Sequence, residues 1–522
     1  MIRLGTFLLL LLTAPAYAQT GYAQAGSSAG FNTPLATSVY TTALAFMAPR
    51  TLEPVPVAQL TLWGLNGLAA LDPDLALGVQ GQILQLSLPG HVLASVAMPT
   101  TDDPAAWAAV AAQLADTAWA ASAKIRRAGT TGVITNFFDE LFNHLDPYSR
   151  YVPPREAAED RARRSGSAGA GLSLMADRDR IVVQQAIADG PGAAAGIRAG
   201  DTILAVNGQS TRQVDPVTVA DWIAGPEETL VSITARGRDG RVRTVDVLRA
   251  VVPPQSVFAE RLHGALLIRI TDFNRETSAR LTRALSEALS GPGAAAHPLN
   301  GIILDLRGNR GGLVSEAAGT ADDFLPSGVI ASAIGRDPDA THIWRSDEGQ
   351  LADDLPIVVA VDGRTASAAE ILAAALADRG RAVVVGSATL GKGLVQTIAP
   401  LPDGGELFVT WSRVLAPRNW PLQGLGVMPQ VCTSLGRDIL ESELDSLDQG
   451  AQPMAEAIAR HRAARAPLPP AQALAIRGAC PAAEGTDTDL AAAQFLILHP
   501  AAYATALLPP LREGERGSLG VR

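Results

Sequence analysis

Lysine is nearly missing from this chain of 522 residues: of its 42 basic residues, 40 are arginine and only two, Lys124 and Lys392, are lysine. Arginine serves almost as well on a solvated surface. A lysine kept at one place therefore points to a property that guanidinium lacks, the ability to lose a proton near neutral pH when buried. Chance survival accounts for either lysine as well, and Lys124, beside Arg126 and Arg127 on a helical face, reads as a plain solvated cation. Cysteine is equally scarce. Cys432 and Cys480 are too far apart for a zinc-type cluster, and in an oxidising compartment they form one disulfide or remain two core thiols. Aromatic residues make up 5% of the chain, no basic stripe is interleaved with them, and the net charge of -10 argues against nucleic acid as a partner. No apolar run of about 20 residues occurs, so no stable membrane span is expected. The seven histidines fall in no motif, and neither a metal nor a cofactor is expected.

What is present is an ordered globular composition, 47% hydrophobic and 18% charged, in a chain long enough for two to four domains. Arg3, the run "FLLLLLTAPA" and the small-x-small pattern "AYAQ" predict a signal peptide over residues 1–18 and a periplasmic or secreted protein. Residues 19–35 read as a flexible lead-in. Helical spacing dominates 36–160, with "GQILQLSLPGHVLASVAMP" as two strands about a Pro-Gly turn. Short strands with Gly-bearing turns fill 166–252, a small β-rich domain. From 254 to 435 compact apolar runs ("GIILDLRG", "PIVVAVDG", "RAVVVG") alternate with helix-like stretches, as in an α/β layered domain. The extension 436–522 is partly helical and carries no legible chemistry. The fold class expected is multidomain α+β.

Three stretches in 254–435 bear on Lys392. In "GSATLGKGLVQ", Gly386, Gly391 and Lys392 match most of a phosphate-binding loop, but Gly393 stands where a hydroxyl belongs and a strand-like run follows, which argues against a nucleotide site. In "PIVVAVDGRTASAAEIL" a buried strand turns into a helix beginning around Ser367, whose hydroxyl would lie among unpaired N–H groups. The same residues, Ser367 to Glu370, also read as a capping box that needs no catalysis. In "GIILDLRGNRGGL" a strand ends in a loop of Gly308, Gly311 and Gly312, either an anion-holding turn or simply a tight one.

Taken together these stretches resemble the tail-specific or C-terminal processing peptidases, serine proteases of the S41 class with a PDZ domain. The family pattern D-L-R-x-N-x-G-G is matched by Asp305 to Gly312, G-x-[ST]-A-S-A-x-E by Gly363 to Glu370, and G-K-G-x-x-Q by Gly391 to Gln396. Upstream, "LDPYSRYVPPRE" resembles the segment these enzymes carry before the PDZ domain, and "GAAAGIRAGDTILAVNGQST" a PDZ core; the likeness spans about 135–431. Gly308 and Arg310 depart from the commoner Asn and Pro.

The resemblance implies a crotonase/ClpP-like protease core in which Ser367 is the nucleophile, Lys392 the general base and Gln396 the residue that orients it. It also implies that backbone N–H groups of Ala368 and of Gly311 or Gly312 hold the oxyanion, and that Ala170, Gly171 and Leu172 bind a substrate tail. For Lys392 to be neutral at pH 7 its pKa must fall by roughly 3 units, a differential cost near 4 kcal/mol, which burial supplies. The partners implied are proteins with apolar C-termini, with room for an adaptor protein. The alternative is a catalytically inactive PDZ scaffold of the same fold.

Overall fold

The computed structural model describes residues 30–292, 294–347, 351–352 and 355–510. The expected signal peptide lies outside them, as does most of the lead-in, although a helix, Thr33–Met47, already begins within the segment read as lead-in.

The centre is a six-stranded sheet in the order Val257–Leu262, Ala265–Ile270, Gly301–Asp305, Ile357–Val361, Ala382–Gly386, Val431–Cys432. Its first pair is antiparallel and the remainder run parallel. Every residue of Gly301–Asp305, Ile357–Val361 and Ala382–Gly386 is buried, so both faces of the sheet must be covered. One face carries helices Thr277–Ser290, Val314–Asp322 and Ala368–Asp378, packed on Ile302, Leu304, Val359 and Val384. The other is covered by the C-terminal extension, whose Leu440, Leu444, Ala492 and Leu496 pack on Ile303, Val358, Val383 and Val385. The extension is thus a layer of the core. A second sheet, His342–Ser346, Gly328–Gly335, Glu406–Leu415 and Leu394–Pro400, stands beside the first, with the short strand Arg150–Val152 added to Glu406–Leu415.

Among the described residues, the N-terminal region contains five helices and a three-stranded antiparallel sheet in which Pro89 and Gly90 form the turn between Ile83–Leu88 and His91–Ala97. Its core, around Tyr40, Leu44, Trp107 and Phe138, continues without a break into Leu407 and Val409 of the second sheet. Lys124 is not the free cation that its position suggested: its ammonium meets Asp72 at 2.7 Å and Asp74 at 3.0 Å, and holds the buried Asp72 carboxyl down at about 2.

Helix Pro154–Ser165 leads into a small antiparallel sheet with Leu172–Asp177 at its edge and helix Pro216–Ile223 beside that edge. The segments entering and leaving this unit, Ser167–Gly169 and Ala250–Val252, pair with each other. Arg161 and Arg164, on the helix that precedes it, hold the buried Glu406 carboxylate at 3.1 and 2.7 Å.

Cys432, ending the last strand of the central sheet, is joined by a disulfide to Cys480 in the extension. Closing a loop of 48 residues in this way contributes about 2–4 kcal/mol by restricting the unfolded chain. Replacing both cysteines by serine should therefore lower the denaturant midpoint of the α/β core by a comparable amount, and a reductant should do the same to the parent protein but leave the double variant unmoved.

Candidate active site

Ser367 sits where strand Ile357–Val361 has turned and helix Ala368–Asp378 begins, with φ 57° and ψ -120°, a region that residues other than glycine seldom occupy. Its surroundings impose that conformation. The Asp362 carboxylate accepts the Arg364 and Thr365 amides at 3.0 and 2.9 Å and so shapes the turn. The Ala366 amide donates to the Asn309 carbonyl at 2.9 Å, and the Ser367 amide to Glu370 Oε2 at 2.8 Å. The capping box read from the sequence is in place, but only its Glu370 half is a full bond; the Ser367 hydroxyl is too loosely set to make a cap hydrogen bond. The hydroxyl stays available at the helix start.

Glu370 does more than cap. Fully buried, it also accepts Thr389 Oγ1 at 2.5 Å and the amide of Gly391 at 2.7 Å on Oε1, and the amide of Lys392 at 2.9 Å on Oε2. The backbones of Ser367 and Lys392 thus meet on one oxygen. Burial pushes the Glu370 carboxyl up, and the Thr389 hydroxyl followed by the amides pulls it back.

The loop after Gly301–Asp305 closes on the same elbow. A Cβ on Gly311 (φ 99°) would lie 2.8 Å from the Ala366 carbonyl oxygen and from Ser367 Cβ, so only glycine fits there. Of the two glycines expected as alternatives in this loop, Gly311 has its amide taken by Asn309 Oδ1 at 2.8 Å. Among the described residues, the amides of Gly312 and Ala368 donate no hydrogen bond.

The Lys392 side chain is half-buried, its Nζ 5.0 Å from the centre of the Tyr148 ring. Burial holds the ammonium below its ordinary pKa, Arg150 adds repulsion, and Asp146 and Glu370 oppose both. Arg150 is fixed by stacking on Phe408, 4.0 Å from the ring centre. No hydrogen bond joins the side chains of Ser367 and Lys392, nor those of Gln396 and Lys392, among the described residues. Gln396 Nε2 donates instead to the Leu394 carbonyl at 3.0 Å and to Thr410 Oγ1 at 3.1 Å, and Thr410 donates to Asp146 at 2.6 Å. Gln396 therefore reaches the lysine's surroundings through Thr410 and Asp146. Sequence reasoning assigned no role to Asp146, Tyr148 and Arg150; their only signal was membership of "LDPYSRYVPPRE".

Ala170, Gly171 and Leu172 line a groove of about 560 Å³ between the edge strand Leu172–Asp177 and helix Pro216–Ile223, with Ile223 and Val252 on its walls. The Ala170 and Gly171 carbonyls accept the amides of Gly192 and Ile187 at 2.7 and 3.0 Å, and among the described residues neither residue's own amide donates a bond. Among the described residues there is no cluster of three or more His, Cys, Asp or Glu placed to hold a metal, and no helix long and apolar enough to cross a membrane.

Comparison with known proteins gives the family of the chain. The family model for peptidase family S41 matches residues 264–433, and that for the PDZ domain matches 182–237. The chain is 32% identical over 303 residues to the carboxy-terminal-processing protease of Bartonella bacilliformis, covering 57% of this chain and 69% of the relative. It is 33% identical over 317 residues to the carboxyl-terminal-processing protease of Picosynechococcus sp., covering 59% and 75%. Among solved structures, a photosystem II D1 C-terminal processing protease aligns at 29% identity over 58% of this chain and 81% of its own, with a TM-score of 0.34. With about a third of the aligned residues identical over more than two thirds of two such enzymes, the chain belongs to the carboxyl-terminal-processing proteases, serine peptidases of family S41.

Proposed function

We propose that this protease is an exported endopeptidase in which Ser367 is the nucleophile and Lys392 its general base, acting on proteins whose C-terminal tails bind in the groove at Ala170 to Leu172. The observation that carries the reading is the single carboxylate of Glu370, which ties the elbow bearing Ser367 to the loop bearing a lysine of depressed pKa. The neutral amine takes the Ser367 proton as Oγ attacks a peptide carbonyl, then returns it to the leaving amine. Their hydrogen bond forms when substrate is seated, since such contacts often tighten only in the complex. The free amides of Ala368 and Gly312 hold the oxyanion, each contributing about 3 kcal/mol. Gln396, through Thr410 and Asp146, steadies the lysine's surroundings. In the groove, the edge strand takes the tail as an added strand and the Ala170 and Gly171 amides take its carboxylate. The disulfide fits an oxidising compartment, as the leader-like N-terminus does.

Replacing Lys392 with arginine keeps charge and reach but removes the base. Cleavage of an unfolded protein should fall by roughly 10³-fold with the fold intact, and Ser367→Ala should be as inactive. If either variant cleaves at near the parent rate, the assignment is wrong, and the inactive scaffold becomes the better reading if the parent itself is inert.

The base also sets a pH dependence. Lys392 works unprotonated, so kcat/KM should rise with pH through a value below that of an ordinary lysine. Arg150→Gln removes a positive neighbour and lets Lys392 keep its proton to higher pH, so the acid limb should move upward. A downward shift would contradict the role given to Arg150.

Amidating the substrate's C-terminus removes the charge that the groove reads, and cleavage at limiting substrate should slow markedly. Deletion of residues 166–250 should abolish the difference between acid and amide substrates. Equal rates on both substrates with the intact enzyme, at all concentrations, would show that the groove does not read tails.

A further inference from the structure

Helix Pro470–Arg477 belongs to the C-terminal extension, and its last residue turns inward under the Lys392 loop. Arg477 Nη1 donates to the Leu425 carbonyl at 2.9 Å. It lies so close to the loop that a Cβ on Gly391 would come within 3.3 Å of Nη1, and one on Gly426 within 2.8 Å. Gly391 is one of the amides bound to Glu370. Gly426 in turn abuts Thr389, whose hydroxyl bonds the same carboxylate. The guanidinium therefore stands directly behind the donors that hold Glu370.

Four donors hold Glu370, the Thr389 hydroxyl and the three amides, and its charge is felt by two cations, Lys392 on its loop and Arg477 on the extension; the other titratable group beside Arg477 is the buried His461, whose Nε2 meets the Gly426 carbonyl at 2.8 Å. For Arg477, Glu370 is the charge that opposes the effect of burial. A lysine acting as a base is neutral before it reacts, and in that state Arg477 is, among the described residues, the positive charge left to interact with a carboxylate wholly removed from water. A buried carboxylate without such a charge takes up a proton, and a protonated Glu370 cannot accept all four donors.

We propose that Arg477 is a positioning residue of the active site, keeping Glu370 ionised while Lys392 is neutral so that the carboxylate continues to hold the Ser367 elbow and the Lys392 loop together. The inference rests on the Ser367/Lys392 reading above. The disulfide at Cys480, three residues on, anchors the arginine's helix to the end of the central sheet.

The test compares two substitutions in the full-length enzyme, with kcat measured against pH on a saturating unfolded substrate. Arg477→Gln keeps a donor for Leu425 but loses the charge, and Arg477→Lys keeps the charge. The acid limb of kcat should move up by about one pH unit in the Gln variant, with KM unchanged, and stay in place in the Lys variant. In the residual activity of Glu370→Gln, which has no carboxyl to titrate, adding Arg477→Gln should leave the limb where it is. The proposal is overturned if Arg477→Gln lowers kcat equally at every pH or has no effect, if the Lys variant shifts as far as the Gln variant, or if the shift persists in the Glu370→Gln background. Should Arg477→Gln fail to fold, as judged by circular dichroism, the Lys variant decides: an unmoved limb supports the proposal and a shifted one overturns it. An active Ser367→Ala enzyme would instead remove the catalytic reading, so the two failures are distinguishable.

Discussion

Four donors converge on the carboxylate of Glu370, and the site is arranged around that convergence. An ionised carboxylate removed from water is costly unless its oxygens are fully bonded. Here the bonds that satisfy it come from the two backbone segments whose side chains matter most. The positions of the proposed nucleophile and base are thereby set through the main chain, and neither side chain is tied up in holding the other. The strained φ of Ser367 persists because the Glu370 bond, the Asn309 carbonyl and the close approach of Gly311 all fix the same turn. A capping box and a catalytic elbow are rival readings of the same letters in the sequence, yet in the folded chain the capping glutamate is what assembles the elbow.

Much of this was legible wherever the signal is local. The continuous apolar runs at 301–305, 357–361 and 382–386 identify buried parallel strands, Pro89 and Gly90 a hairpin turn, and Ser367 a helix start. What could not be read depends on contacts between distant segments. Asp146, Tyr148 and Arg150 reach Lys392 through a short strand added to the second sheet, and no periodicity links positions so far apart. The choice between Gly311 and Gly312 turned on whether Asn309 takes an amide, a side-chain rotamer that spacing does not reveal. One omission was avoidable: strands apolar at every position require a layer on each face, and the C-terminal extension was the remaining source of helices for the second.

The pairing of Ser167–Gly169 with Ala250–Val252 brings both connections of the PDZ domain together as a two-stranded ribbon. Helix Pro154–Ser165, fixed to Glu406 by Arg161 and Arg164, leads into that ribbon, and Arg283 of helix Thr277–Ser290 pairs with Asp189 of the same unit, so the domain is tied to the protease core at more than one place.

The N-terminal helices close their core on Leu407 and Val409, which lie about half the chain further on. During synthesis the first helices emerge long before the strand that covers them, and the apolar surface around Phe138 and Tyr151 stays open until that strand arrives. Non-local pairings of this kind form slowly, because a long loop must close before any contact rewards it. The first and last thirds of the chain therefore mature together, and a nascent chain has no finished N-terminal domain with which to act before the protease core is complete.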